Sequence, residues 1–152
     1  MLNLQEHSGF TGALSYALLA EGTNANTFKT TNTAVYAING VIYSKAATDN
    51  IAFSSGHTSL AAGDSCLFGV FLDSAGNFTT GQGNIVKTAD ITAKKEALKL
   101  PVVPADKALI GSIRVQCDNS AVFVPNTTDL GATDVVDTYL HYCGQPSQPL
   151  AS

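Results

Sequence analysis

The chain of 152 residues carries a formal net charge of -4 and only 13% charged residues, about half the roughly 25% usual in soluble domains. One domain accommodates that length, and eight basic residues, scattered from Lys29 to Arg114, leave no basic face for a nucleic-acid backbone. No apolar run approaches the roughly 20 residues of a membrane-spanning helix.

The N-terminal stretch MLNLQEHSGFTGALSYALLAEG lacks a basic start, carries Glu6, and has Leu18 and Ala20 where a small-x-small cleavage pair belongs, so it is not read as a signal peptide. Leu14, Ala17 and Leu18 recur at helical spacing after Thr11 as N-cap, with Gly22 as the closing residue. A short helix or an extended apolar arm is therefore expected over Thr11 to Glu21. The polar stretch GTNANTFKTTNT then reads as a linker.

From Ala34 onward short apolar runs alternate with turn residues. AVYAI and VIYSK face each other across Asn39-Gly40, the dipeptide that supplies the two positive-φ positions of a type I′ hairpin. NIAFSS predicts a weak strand. Leu67 to Asp73 is expected to pair with Phe78 to Thr80 across SAGN, and Pro101 and Pro104, which cannot donate to a ladder, lead into a strand over Ala108 to Gln116. NSAVFVPNT predicts a further strand and VVDTYLHYC the last one. The expected fold is all-β, an antiparallel β-sandwich or jelly-roll-like barrel of seven or eight strands. The expected organisation is an N-terminal arm and linker (1–33), the β-domain (34–143) and a flexible C-terminal tail (144–152).

A search for chemistry returns little. Cys66, Cys117 and Cys143 are an odd number without a Cys-x-x-Cys pair, which points to a reducing compartment, with Cys66 and Cys117 as small buried hydrophobes and Cys143 more exposed. His7, His57 and His141 stand in no metal-ligand pattern. GHTSL and GDSCL lack the Gly-x-Ser-x-Gly elbow of a nucleophilic serine. GQGN lacks a third glycine, and the IVKT that follows is not expected to open a helix that holds an anion. DSAGN reads as a tight turn, with calcium only as an accessory ion. Lys94-Lys95-Glu96 reads as a solvated turn. Asp129, Asp134 and Asp137 fall in a loop and on a strand edge and do not form the paired carboxylates of a glycosidase. With no Trp in the chain, Tyr36, Tyr43, Tyr139 and Tyr142 are assigned to packing. No catalytic residue, cofactor or metal is expected.

The stretch TFKTTNTAVYAINGVIYSKAATDNIAFSSGHTSLAAGDSCLFGVFLDSAGNFTTGQG, with LPVVPADKALIGSIRV and FVPNTTDLGATDVVDTYLHY, resembles small virion-surface proteins of tailed bacteriophages and prophages, above all capsid decoration (cement) proteins. The resemblance spans most of Thr27 to Tyr142. It implies a non-enzymatic homotrimer, assembled in the bacterial cytoplasm and seated on the major capsid protein at the capsid surface, with no nucleic acid or membrane as partner. The apolar residues Phe10, Leu14 and Leu18 are the candidate capsid or oligomer contacts. The alternative is a head-fibre or tail receptor-binding module that recognises a host surface glycan.

Overall fold

A computed structural model of the chain describes residues 9–118 and 120–144. The readings of Glu6, His7 and the tail beyond Gly144 lie outside the described residues. Of the short helix or extended apolar arm expected over Thr11 to Glu21, the helix is not formed: the segment is extended and carries two short strands, β1 (Gly12–Ala13) and β2 (Leu19–Glu21). Ala13, Ala17 and Leu19 are buried while Leu14, Tyr16 and Leu18 are exposed, a period of two that a helix cannot produce. Leu18 also sits at φ +51°, in the left-handed region that ends a right-handed helix. The stretch read as a linker contains β3 (Phe28–Thr30), whose Phe28 is fully buried. It pairs with β2 in the register Leu19 with Thr30 and Glu21 with Phe28.

β4 (Ala34–Ile38) and β5 (Val41–Lys45) form the expected hairpin, with Asn39 at φ +49° and Gly40 at φ +79°. Both values belong to a type I′ turn, whose twist matches the strands it joins. The second expected hairpin is β6 (Asp64–Asp73) with β7 (Phe78–Gln82), closed by Leu72 opposite Phe78. Its turn is built by Asp73: Oδ1 accepts from the Ala75 and Asn77 N–H groups, each at 2.9 Å, and Oδ2 accepts from Asn77 Nδ2 at 3.0 Å. The chain continues through β8 (Val86–Lys87) directly into α1 (Thr88–Thr92), so IVKT does open a helix, one of five residues with no side-chain cap. β9 (Lys107–Cys117) follows the prolines as expected, and β10 (Val135–His141) is the last strand.

Every strand pairing among the described residues is antiparallel. The sheets are β1-β4-β5, β2-β3, and an open five-stranded sheet ordered β10-β9-β6-β7 with β8 also on β6. Two of the expected strands shrink to single bridges, Phe28 with Ile51 and Leu60 with Phe123. Their side chains are still in the core, where Phe53 meets Phe28, Phe68 and Phe123 edge-on at centroid separations of 5.4, 5.2 and 5.9 Å. Such pairs add about 0.5–1.5 kcal/mol each beyond area burial. One cluster unites Ala13, Tyr36 and Ile38 of the three-stranded sheet with Phe68, Val70, Ile113 and Val115 of the five-stranded sheet. The residues read as an N-terminal arm thus supply part of the same core as the β-domain.

Candidate interaction surface

The segment from Phe10 to Leu19 is held at both ends by the two chain turns it passes. The Gly40 N–H donates to the Phe10 carbonyl at 2.8 Å and the Asn39 N–H to Thr11 Oγ1 at 2.9 Å. In the middle, the Leu14 and Ser15 N–H groups both donate to the Val35 carbonyl, at 2.7 and 3.2 Å, while Ser15 Oγ accepts the Val35 N–H and donates to the Thr33 carbonyl. At the far end, the Thr31 N–H and hydroxyl donate to the Leu18 carbonyl, and the Asn32 N–H donates to that of Ala17. The backbone polar groups of the segment are therefore largely answered within the fold, while Leu14, Tyr16 and Leu18 are exposed, at 39%, 54% and 38%.

Of the three residues predicted as contacts, Leu14 and Leu18 are exposed and Phe10 is half-buried beside the hairpin turn. The structure brings all three onto one tethered stretch. Tyr16, the most exposed of the ridge, was missed; reading Ala13 to Leu19 with a period of two rather than 3.6 finds it. The hairpin of β4 and β5 adds Val41 and Ile42, at 53% and 67% exposure.

The chemistry-bearing side chains are occupied with packing. Cys66 and Cys117 are fully buried, and burial pushes the Cys66 thiol up to about 11. Cys143 is half-buried. His57 Nε2 lies 2.8 Å from Thr80 Oγ1 with its ring against Phe68, and burial lowers its pKa. His141 Nδ1 accepts the Leu19 N–H at 3.2 Å, joining β10 to β2. Tyr36 stacks on Tyr43 at 5.7 Å, and the hydroxyls of Tyr142 and Ser112 share a hydrogen bond of 2.9 Å. No group of three or more His, Cys, Asp or Glu side chains stands at metal-ligand distance among the described residues.

No protein-family model, no curated protein and no solved structure matches the chain. The arrangement itself is suited to contact: an apolar ridge on a backbone that is already hydrogen-bonded buries area on a partner without first having to be ordered.

Proposed function

We propose that the protein is a capsid decoration (cement) protein, a non-catalytic β-domain that binds the outside of a phage head and bridges neighbouring major capsid subunits. The ridge of Leu14, Tyr16 and Leu18 is the observation that carries this reading. Three large apolar side chains at alternate positions on a tethered segment are an arrangement for burial against another protein. The sequence resemblance of Thr27 to Tyr142 to virion-surface proteins supplies the identity of that partner.

In this reading the three-stranded and five-stranded sheets form a jelly-roll-like sandwich, supported by the single core cluster that draws on both. The protein assembles in the host bacterial cytoplasm as a homotrimer and takes its place on the virion surface. Its mechanism is linkage: a protein that binds the assembled shell and not the separated subunits stabilises the shell by its own binding free energy, repeated at every site.

The test is the copy number in purified virions, measured by quantitative mass spectrometry against the major capsid protein. A lattice-wide ratio is expected. A handful of copies per particle would move the reading to a receptor-binding fibre that recognises a host glycan, and absence from virions would overturn it.

A further inference from the structure

The five-stranded sheet has a second face, away from the core, that carries Gly69, Gly81 and Arg114. A strap crosses part of it: Asn84 Oδ1 accepts the Lys99 N–H at 2.7 Å, Asn84 Nδ2 donates to the Ala97 carbonyl at 2.9 Å, and Pro101 packs over Gly69 and Gly81. Beside this strap, α1, residues 94–98 and Arg114 of β9 line an open surface depression of about 510 Å³. Ile91 and Leu98 form apolar wall, Lys94, Lys95 and Glu96 line it further, and Arg114 reaches it from β9.

Arg114 is the chain's single arginine. It is half-buried, yet no carboxylate lies within ion-pair distance of it among the described residues. Its Nη2 donates to Gln116 Oε1 at 3.1 Å, and Gln116 Nε2 in turn donates to Asp118 Oδ1 at 2.9 Å. These contacts orient the guanidinium without neutralising it. Its Nε is buried with no hydrogen-bond partner among the described residues. The depression thus gathers three cations against the one carboxylate of Glu96.

We propose that this depression binds a small organic carboxylate, with the Arg114 guanidinium receiving the carboxylate group, Lys94 and Lys95 adding attraction, and Ile91 and Leu98 packing the ligand's apolar body. The guanidinium fork matches a carboxylate in a two-point geometry. Glu96 weighs against a dianion such as phosphate, and the apolar walls favour a ligand that is more than an ion. The inference is independent of the capsid reading.

The experiment is titration of the full chain with sodium benzoate, followed by amide chemical shifts, with benzamide as the neutral isostere and inorganic phosphate as the compact anion. Saturable shifts at Ile91, Leu98 and Arg114 with benzoate, none with benzamide, and weaker binding of phosphate are expected. R114Q should weaken benzoate by about tenfold or more, the loss of one charge-assisted contact. The exposed pair K94Q/K95Q should weaken it by about two- to fivefold and reduce its salt dependence, which keeps the test decisive should R114Q not fold. A peptide with a free C-terminal carboxylate that binds more tightly than benzoate, and loses binding on amidation, would place the carboxylate on a partner's chain end; the reverse order would make it a free small molecule. Absence of benzoate binding, equal binding of benzamide, tighter binding of phosphate, or full affinity in R114Q or K94Q/K95Q would overturn the proposal.

Discussion

Asn126 brackets the backbone of Phe53: its Oδ1 accepts the Phe53 N–H at 2.7 Å and its Nδ2 donates to the Phe53 carbonyl at 2.8 Å. The amide does what a neighbouring strand would do, and it does so for the residue on which the aromatic cluster of Phe28, Phe68 and Phe123 converges. Asn126 stands at φ +65°, a conformation that asparagine tolerates better than most residues. Asn126→Ala removes both bonds and leaves a donor and an acceptor of Phe53 partly buried. The expected loss is about 2 kcal/mol, read as a lower urea midpoint with unchanged slope. Asn126→Asp keeps the acceptor and loses the donor, and should recover part of that loss.

Asp73 organises the β6–β7 turn through three hydrogen bonds, and the Asn77 N–H, with help from the Asn77 side chain and the Ala75 N–H, holds its carboxyl below the ordinary value of 3.8. A depressed folded pKa adds stability above 3.8 that disappears as the pH falls through the lower folded value. Asp73→Asn should be less stable than the parent at neutral pH, by about 1 kcal/mol. The gap should close on acidification, as followed by urea midpoints from neutral pH downward.

Burial raises the Cys66 thiol from 9.0 to about 11 and also raises Cys117, and it lifts the Tyr36 and Tyr139 hydroxyls above 10.0. In this window the unfolded chain releases protons that the folded chain retains, so stability is fully present below 9.0 and falls as the pH rises. Each group contributes a slope of about 1.4 kcal/mol per pH unit within its own window. Under reducing conditions Cys66→Ala should lower stability at neutral pH and flatten the decline between 9.0 and about 11 by one proton's worth. An unchanged slope would show that Cys66 titrates in the folded chain.

Both hairpins were legible in the sequence because their information is local. Asn39-Gly40 sets its own dihedral angles, and Asp73 and Asn77 close their turn without help from the rest of the chain. The segment from Gly12 to Glu21 misled because it is apolar at nearly every position: Leu14, Ala17 and Leu18 satisfy a helical spacing while Ala13, Ala17 and Leu19 satisfy a strand spacing. The choice is made by β4, which pairs with β1 from more than twenty residues away in sequence. β10 shows the same limit. Its Val136 and Leu140 face out, while Asp137, Tyr139 and His141 are half-buried. Alternation alone would have turned the apolar set inward. The Leu19 N–H meeting His141 Nδ1 helps set the observed facing, and no local pattern encodes that contact. Arg114 was read as one of several scattered cations, since the depression beside it is assembled from two stretches of chain, residues 91–98 and β9, that meet only in the fold.

Gly83 is a single point at which the strap over the outer sheet face can be tested. A side chain there would collide with the Lys99 carbonyl oxygen and approach the Leu67 carbonyl oxygen at 3.0 Å, both backbone atoms. Gly83→Ala must push the strap off the sheet or displace β6, and the expected loss is about 2–4 kcal/mol. Hydrogen exchange should show the Lys99 N–H, bonded to Asn84, losing protection first.

The ridge of Leu14, Tyr16 and Leu18 separates an assembly role from a structural one. Ala13, Ala17 and Leu19 from the same segment are in the core, so deletion of the first 22 residues is expected to unfold the domain and would say nothing about the surface. Substitution of the exposed positions avoids this. Leu14→Ser and Tyr16→Ser alter solvated side chains and should each shift stability by no more than about 0.5 kcal/mol. Leu18→Gly relieves a left-handed leucine, worth about 1–2 kcal/mol, against the roughly 0.5–1 kcal/mol entropic loss of a glycine, so the folded state should be unchanged or slightly firmer. By contrast, Ala17→Asp places a charge at a site only 1% exposed and should unfold the domain. The triple variant is then a folded protein without its ridge. Under the proposed decoration role, it should melt like the parent while no longer assembling on gel filtration or co-sedimenting with capsids. A triple variant that assembles as well as the parent would return the ridge to the ordinary scatter of apolar residues found on any protein surface.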